Sequence, residues 1–293
     1  MQLPTKCSCN YLHFCFAITY IWGLQLSTFL FYNKQKRDWE KLKGDYDTKE
    51  KIWKSNTPII IGFIKRHLLH DDDLVLLHEV PYVSEEEYCY NGEINYKRSN
   101  KITSAYENLI QNMSSDGYEV IEPITEETAF FRSIAICKKG AYRQTLNTEI
   151  SSIFENFKNR IICIESTDNT KETVVIGVHI PTDLVFWKYI YNIIDNIPNN
   201  KMVICGGDFN TFKPDTEMHK CFSGLLNKGF VDVWIGTGNP NETPTFDAGT
   251  RIDYFLISSS HFNQVDWEMS IDNDVREKFG YSDHSAIILS NKD

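Results

Sequence analysis

The stretch 202–210 reads MVICGGDFN, an apolar run that ends in two glycines, an aspartate and an asparagine. A short apolar run bounded by turn residues is typical of a strand that is buried on both faces. The earlier stretch 173–179, TVVIGVH, has the same form and ends in a histidine. Enzymes often place functional side chains at the ends of such strands, because the strands hold them rigidly. The two stretches predict an α/β protein with polar groups at its strand ends.

The composition excludes several classes of protein. The chain has 293 residues, of which 42% are hydrophobic, so it can bury a sizeable core and is too apolar to be disordered. Its 15 glycines and 9 prolines exclude a collagen-like chain. The formal net charge is −10, so the protein does not attract polyanions through its overall charge. If the substrate is a phosphate ester, metal ions or a local basic patch must attract it.

The 8 cysteines form no CxxC pair, so the sequence predicts neither a zinc site nor a disulfide framework. Cys163 and Cys205 lie in apolar runs, where we expect small buried side chains. This pattern favours a reducing compartment, and a cytoplasmic location over a secreted one, while one or two disulfides remain open.

Strands and helices alternate along the chain without an internal repeat or a linker, which predicts one α/β domain over residues 27–293. A cap residue followed by Pro58 predicts a helix from about residue 55 to His70. Further helices are expected at 100–114, 186–197 and 215–229. Strands are expected at 74–77, 118–121, 129–137, 161–165, 173–179, 202–205, 251–257 and 286–289.

A run without Asp, Glu, Lys or Arg extends from Tyr11 to Tyr32. It resembles a signal peptide or a short membrane anchor, although a single Lys precedes it and no clear cleavage site follows. The alternative is an extra strand or a plain N-terminal extension, and the sequence leaves these interpretations open. We treat residues 1–26 as an apolar extension.

Polar residues that could carry chemistry follow several apolar strands. Each has a structural interpretation on its own: Gly-Gly-Asp-x-Asn is usually a turn, a strand-end histidine is usually structural, and an aspartate beside a tyrosine is usually exposed. Together, the carboxylates, the amide and the two imidazoles suit a hard divalent cation combined with proton transfer. The candidates are Glu79, His179, Asp208, Asn210, Asp253, Asp283 and His284.

The order of these motifs resembles the endonuclease/exonuclease/phosphatase superfamily, which has the deoxyribonuclease I-like fold. Gly-Asp-x-Asn and Ser-Asp-His lie about 75 residues apart with Ile-Asp-Tyr between them, and the resemblance extends over residues 29–290. The chain departs from the family pattern at Lys34, where an apolar residue is usual, and at His78, where Gln is commoner. The motifs are Phe31-Tyr32-Asn33, Leu77-His78-Glu79, Val178-His179-Ile180-Pro181, Gly207-Asp208-Phe209-Asn210, Arg251-Ile252-Asp253-Tyr254 and Ser282-Asp283-His284.

The resemblance implies a four-layer α/β sandwich, in which two mixed β-sheets pack face to face with helices outside. It also implies Mg²⁺ as the cofactor, with Mn²⁺ as a substitute, held by Asn33, Glu79 and Asp283. Whether one metal ion or two are bound stays open. His284, paired with Asp253, is implied to activate the attacking water.

The resemblance further implies how the phosphate is handled. Asp208 and Asn210 position the nucleophile and the phosphate oxygens, and His179 donates to a phosphate oxygen or protonates the leaving group. Arg132 occupies a place where the family often has a polar residue that contacts the phosphate, the alternative being an exposed charge on a strand. A possible basic patch is expected in a loop at Lys97, Arg98 and Lys101.

The superfamily contains deoxyribonucleases, abasic-site endonucleases, RNA deadenylases, sphingomyelinases and inositol phosphatases. His179 argues against an abasic-site enzyme, since those enzymes usually carry Asn there and are more basic. We therefore expect a Mg²⁺-dependent phosphodiesterase, and a nuclease first. Its partner would be nucleic acid or a small phosphoester, and we expect a monomer without an obligate protein partner. The alternatives are a phosphomonoesterase or lipid-type phosphodiesterase with the same residues, and a catalytically silent binding module.

Overall fold

The computed structural model describes residues 57–58, 60–90, 93–125, 129, 131–145, 157–170, 172–211, 213–278 and 282–291. In this part of the chain two β-sheets lie face to face, and helices cover their outer faces. The predicted four-layer α/β sandwich is therefore confirmed.

The first sheet has three antiparallel strands in the order β1-β5-β4. A two-stranded hairpin, β2–β3, and a helix follow β1 along the chain. The elements of this half are α1 (60–67), β1 (Leu74–Pro81), β2 (Val83–Tyr90), β3 (Glu93–Ile102), α2 (Ser104–Ser115), β4 (Tyr118–Ile121) and β5 (Phe131–Lys138).

The second sheet has six strands in the order β10-β11-β9-β8-β7-β6 and is mixed, because β8 and β9 are parallel while the other neighbours are antiparallel. The elements are β6 (Tyr142–Gln144), β7 (Ile161–Ser166), β8 (Thr173–His179), α3 (Leu184–Asp195), β9 (Met202–Asp208), α4 (Glu217–Asn227), β10 (Phe230–Asp232), α5 (Val233–Gly236) and β11 (Asp253–Ser258). An antiparallel pair, β12–β13, ends the described chain. The last elements are α6 (Ser259–Phe262), β12 (Trp267–Asp272), a π-helical turn (Asp274–Lys278) and β13 (Ala286–Asn291).

The centre of the core lies between the two sheets. Leu76 of β1 and Ala135 of β5 belong to one buried cluster with Ile162, Ile204 and Phe255 of the second sheet. Two further clusters lie on the outer faces, where α1 and α2 cover the first sheet and α3 and α4 cover the second. The inner strands are thus buried on both faces, which explains their continuous apolar sequences.

Most predicted elements are present with small changes at their ends. The strand predicted at 173–179 has those bounds, and the strand predicted at 202–205 continues to Asp208. Cys163 and Cys205 are buried, as predicted. Gly229 closes α4 with φ +92, a conformation that glycine adopts without strain.

One helix prediction was wrong at its start. Residues 100–102 belong to β3, and the helix begins only after Thr103, whose hydroxyl caps it by accepting a hydrogen bond from the Tyr106 N–H. Lys97, Arg98 and Lys101 accordingly lie in a strand and not in a loop. The first sheet also differs from the expectation, since its described strands are all antiparallel.

The predictions for residues 1–56 lie outside the described residues. These include the apolar run, the strand that ends at Asn33, and the boundary at residues 26–27. Among the residues that the structure does describe, no helix has the length and apolar character needed to cross a membrane.

Candidate active site

Three of the candidate side chains lie at one level on neighbouring strands. His179 is the last residue of β8 and pairs in parallel register with Asp208, the last residue of β9. Asp253, the first residue of β11, pairs with Asp208 from the other side. The ends of parallel strands meet at one edge of a sheet. The register therefore brings an imidazole and two carboxylates together at this edge.

Glu79 reaches the same region from the first sheet through an irregular strand. The pairing of β1 with β5 shifts between Leu77 and Val80, and Glu79 lies in that bulge. Its φ is +52, a left-handed conformation that glutamate rarely adopts. Bulges re-aim side chains, and strained residues cluster at functional sites. The carboxylate Oε1 lies 3.3 Å from Nε2 of His179.

The Gly-Gly-Asp-x-Asn sequence forms a turn that its own side chains close. Asn210 has φ +49, and its backbone N–H donates to Oδ1 of Asp208 at 2.8 Å. Its side-chain amide donates to Oδ2 of Asp208 at 2.9 Å and to the backbone oxygen of Ile180 at 2.8 Å. Gly207 has φ +136, and a Cβ there would lie 2.0 Å from the backbone oxygen of Val178. The structure therefore requires glycine at 207 and fixes Asp208 and Asn210 as one unit.

A buried histidine–aspartate pair lies beside that unit. Nδ1 of His284 is 2.9 Å from Oδ2 and 3.1 Å from Oδ1 of Asp253. Asp253 is 0% exposed, so the structural interpretation of an exposed strand position was wrong. The backbone N–H of His284 donates to the Ser282 hydroxyl at 3.0 Å, and the Phe246 ring packs against the imidazole with ring centres 4.8 Å apart. The contacts with Ser282 and Phe246 fix the position of His284, and the Asp253 carboxylate keeps a proton on Nδ1.

Asp283 is buried with an unused oxygen. Only 3% of the residue is exposed, and its Oδ1 has no hydrogen-bond partner among the described residues. Its backbone oxygen accepts a hydrogen bond from the Asp247 N–H at 3.0 Å. A buried carboxylate oxygen without a partner is costly unless a proton or a cation satisfies it.

Arg160 is a further cation in the site. Its Nη1 lies 3.0 Å from Nδ1 of His179. Since a guanidinium can only donate, Nδ1 must accept, and the ring proton of a neutral His179 is then on Nε2. That Nε2–H faces Glu79 at 3.3 Å and Asp208 at 3.7 Å.

The pKa values of the carboxyl groups reflect burial and crowding. Burial raises the pKa of Glu79 to about 7, with a further contribution from Asp283. Burial also raises the pKa of Asp208 well above its usual value, and Asp253 and Glu79 add to this. The pKa of Asp283 is raised for the same reason. These carboxyl groups therefore take up a proton more readily than exposed ones, chiefly because they are buried.

The pKa values of the two histidines, His179 and His284, are shifted in opposite directions. Burial alone would lower the pKa of His284, but Asp253, followed by Asp208 and Asp283, outweighs it and raises the pKa to about 10. Burial and Arg160 lower the pKa of His179 well below its usual value, so His179 is a neutral hydrogen-bond donor. The two imidazoles at this edge are thus suited to different tasks.

Of the two remaining predicted site residues, Arg132 and Asn33, the structure describes only Arg132. Arg132 is 5% exposed, so the alternative of an exposed strand charge was wrong. It lies on β5 opposite Val80, the residue after Glu79. Asn33 lies outside the described residues.

The sequence analysis missed Arg160, and it noted His78 only as a departure from the family pattern, without a role. Arg160 follows no recognisable motif, and only its contact with His179 reveals it. His78 is fully buried, and its Nδ1 lies 2.8 Å from the Ser133 hydroxyl. The histidine at position 78, where the family usually has Gln, marked this position as unusual in the sequence, but it did not indicate what the side chain does.

Residues 142–284 match the sequence model of the Endonuclease/Exonuclease/phosphatase family. A comparison with curated proteins gave no match. The fold is similar to D. rerio TDP2 in complex with a single-strand DNA product, with a TM-score of 0.57 and 15% identity over 97% of this chain and 100% of that chain.

Two further solved structures have the same fold. The endonuclease domain of TRAS1, a telomere-specific non-LTR retrotransposon, has a TM-score of 0.54 and 13% identity over 96% of this chain and 99% of that chain. The 3' phosphatase NExo from Neisseria, bound to a product DNA hairpin, also has a TM-score of 0.54 and 13% identity, over 80% of this chain and 95% of that chain. The chain therefore has the deoxyribonuclease I-like fold, and the resemblance seen in the sequence motifs is confirmed over residues 142–284, which match the Endonuclease/Exonuclease/phosphatase family model.

Proposed function

We propose that the protein is a Mg²⁺-dependent phosphodiesterase, and specifically a nuclease that hydrolyses phosphodiester bonds by in-line attack of water. The observation that carries this proposal is the buried His284–Asp253 pair beside Asp208, on the same sheet edge as His179 and Glu79. An imidazole oriented by a carboxylate is a general base in many hydrolases, and the surrounding carboxylates suit a hard cation.

The donor set fits a magnesium ion. Glu79 and Asp283 offer carboxylate oxygens, and Oδ1 of Asp283 is buried without a partner among the described residues. No three His, Cys, Asp or Glu side chains within the described ranges are already gathered around one point. Mg²⁺ needs few protein carboxylates, because it keeps several waters and takes oxygens from the substrate phosphate. Glu79 and Asp283, together with Asn33, would therefore hold the ion, which would supply charge stabilisation at the phosphate.

His284 and Asp253 form the water-activating pair in this proposal. The Asp253 carboxylate accepts from Nδ1–H, which leaves Nε2 as the atom that takes a proton from water. The carboxylates around His284 hold its pKa at about 10. Positive charge bound at Glu79 and Asp283 would offset part of the negative field of the carboxylates. It would thereby lower the pKa of His284 and make His284 a usable base near neutral pH.

Asp208 and Asn210 hold the attacking water and a phosphate oxygen between them. Both side chains are fixed by the turn that follows β9, so little reorganisation is needed when substrate binds. Asp208 can accept a hydrogen bond from water, and a phosphate oxygen can replace Oδ2 of Asp208 as the acceptor of one Asn210 amide N–H.

His179 and Arg160 contact the phosphate. A neutral His179 whose proton is on Nε2 donates a hydrogen bond to a phosphate oxygen in place of Glu79, and its low pKa makes it a poor cationic acid. Protonation of the leaving group by His179 is thus less favoured than hydrogen bonding. The Arg160 guanidinium supplies a charge-assisted donor at the same place.

Nucleic acid is the substrate class we favour. Two of the similar structures contain DNA products, and one of these is described as a 3' phosphatase. The net charge of −10 means that affinity must come from a few phosphate contacts. A phosphomonoesterase or a lipid-type phosphodiesterase with the same residues is the second candidate, since one of the proteins with this fold is a 3' phosphatase.

A substrate panel tests the proposal. Supercoiled plasmid DNA, single-stranded RNA, sphingomyelin and inositol phosphates are each incubated with Mg²⁺ and with EDTA. We expect hydrolysis of nucleic acid in Mg²⁺ only. Release of phosphate from inositol phosphates, with both nucleic acids intact, would replace the nuclease by the phosphatase. Hydrolysis of none of the four would favour the silent binding module.

A further inference from the structure

A buried arginine links the two sheets beside the active site. Arg132 of β5 is 5% exposed, and its guanidinium carbon lies 3.2 Å from the centre of the Tyr82 ring. Its Nε donates to Oδ1 of Asn159 at 3.2 Å, and its Nη1 lies 3.5 Å from Oε1 of Glu122. The guanidinium is therefore enclosed by an aromatic ring, an amide and a carboxylate.

Asn159 belongs to the short turn that carries Arg160. The turn comprises residues 157–160, directly before β7. On its outer side Phe157 packs edge-on against Phe186 of α3, with ring centres 5.3 Å apart. On its inner side Asn159 is 3% exposed and bonded to Arg132. The turn is thus held between the outer helix layer and the first sheet.

We propose that Arg132 is a positioning residue that acts through Asn159. It fixes the turn 157–160 and so holds the Arg160 guanidinium 3.0 Å from His179. The inference rests on the proposed function, in which Arg160 contacts the substrate phosphate. It replaces the direct phosphate contact that the sequence predicted for Arg132, because a guanidinium enclosed to this extent presents little surface to a substrate.

The role requires the shape of arginine as well as its charge. Arg132 stacks its planar group on Tyr82 while Nε donates sideways to Asn159. A lysine ammonium is a point charge and cannot make both contacts in this geometry. Arg132→Lys should therefore behave like a loss of the residue, although it keeps the positive charge.

A double-mutant cycle on the full-length chain tests this inference. kcat and KM are measured with bis-p-nitrophenyl phosphate and Mg²⁺ for Arg132→Lys, Asn159→Leu, Arg160→Ala and their combinations. We expect each single variant to lower kcat/KM about tenfold, mainly through KM, and the Arg132→Lys/Arg160→Ala double variant to lie within about twofold of Arg160→Ala. Asn159→Asp keeps the oxygen that accepts from Arg132, so this variant should keep most of the wild-type activity.

Hydrogen–deuterium exchange of the segment that contains residues 157–163 provides a second readout. It should be faster in Arg132→Lys and Asn159→Leu than in the wild type. Arg143→Ala is the matched control: Arg143 bonds Glu165 at the opposite end of the same sheet, so it should change neither readout.

The outcomes separate this inference from the proposed function. Multiplicative losses in the Arg132→Lys/Arg160→Ala double variant would overturn the positioning role and restore a direct contact, while leaving the phosphodiesterase proposal intact. If the wild type hydrolyses no diester, the proposed function fails. Independently of this, hydrogen–deuterium exchange at residues 157–163 that is the same in Arg132→Lys as in the wild type would overturn the link from Arg132 to the turn.

Discussion

Replacing Asp253 by asparagine should destabilise the protein in a pH-dependent way. The His284–Asp253 pair is almost fully buried, with 1% and 0% exposure. Removing one charge of a buried pair typically costs about 3–5 kcal/mol. We expect the lower part of this range, about 3 kcal/mol, because the Asn amide keeps a hydrogen-bond acceptor and the repulsion between Asp253 and Asp208 is relieved.

The sign of the pH dependence follows from the raised pKa. His284 has a pKa of about 10 in the folded protein and 6.5 as its ordinary value. The pair therefore stabilises the fold fully below pH 6.5, and this contribution is lost as the pH rises through about 10. The stability difference between wild type and Asp253→Asn should accordingly be largest at pH 6 and should shrink toward pH 10.

Urea unfolding in EDTA, at several pH values between 6 and 10, measures this difference. Asp195→Asn is the control, since its partner Lys228 lies on the surface and such exposed pairs contribute at most about 1 kcal/mol. The reasoning is refuted if Asp253→Asn is as stable as the control at pH 6, or if its deficit grows as the pH rises.

Four further outcomes are expected. Glu79→Gln should weaken the Mg²⁺ dependence and lower turnover together, and EDTA should abolish wild-type hydrolysis; full activity in EDTA would refute the metal-dependent mechanism. Deleting residues 1–26 should leave a folded, active enzyme, as judged by circular dichroism and hydrolysis, whereas deleting residues 1–36 should not, since it removes a predicted strand and a predicted metal ligand. Gly207→Ala should destabilise the fold by more than about 4 kcal/mol in urea unfolding, because its Cβ would lie 2.0 Å from the Val178 oxygen; a smaller loss would show that the turn can relax. Binding to duplex DNA should show a shallow slope of log affinity against log salt, since each phosphate contact contributes about 0.9; a steep slope would mean an extended basic surface.

The strand-end motifs could be predicted because local sequence determines them. The runs at 173–179 and 202–208 are continuously apolar, and the parallel register that sets His179 beside Asp208 follows once both are neighbours in one sheet. Their order along the chain also indicated the family whose sequence model residues 142–284 match. The chemical roles of Glu79, Asp253 and His284 are predictions, which substitutions at these three residues test.

Other features depend on tertiary contacts that no local pattern encodes. Arg160 has no motif around it, and it joins the site only because the turn at 157–160 brings it to His179. The burial of Arg132 follows from partners up to 50 residues away along the chain, such as Tyr82, and a charge on a strand gives no sign of this. The β2–β3 hairpin was missed because its strands carry many charged residues and so lack an apolar run.

The most direct test of the proposed chemistry is nicking of supercoiled plasmid DNA by the wild type and by His284→Ala, each in Mg²⁺ and in EDTA. We expect the wild type to nick the plasmid in Mg²⁺ and not in EDTA, and His284→Ala to be slower by about 10²–10⁴-fold, the usual contribution of a general base. Circular dichroism and a urea unfolding curve verify that the variant is folded. Nicking by folded His284→Ala at the wild-type rate would contradict the role of the His284–Asp253 pair. If the wild-type protein in Mg²⁺ leaves the plasmid intact but releases phosphate from a monoester, this would contradict the proposal that the protein is a nuclease.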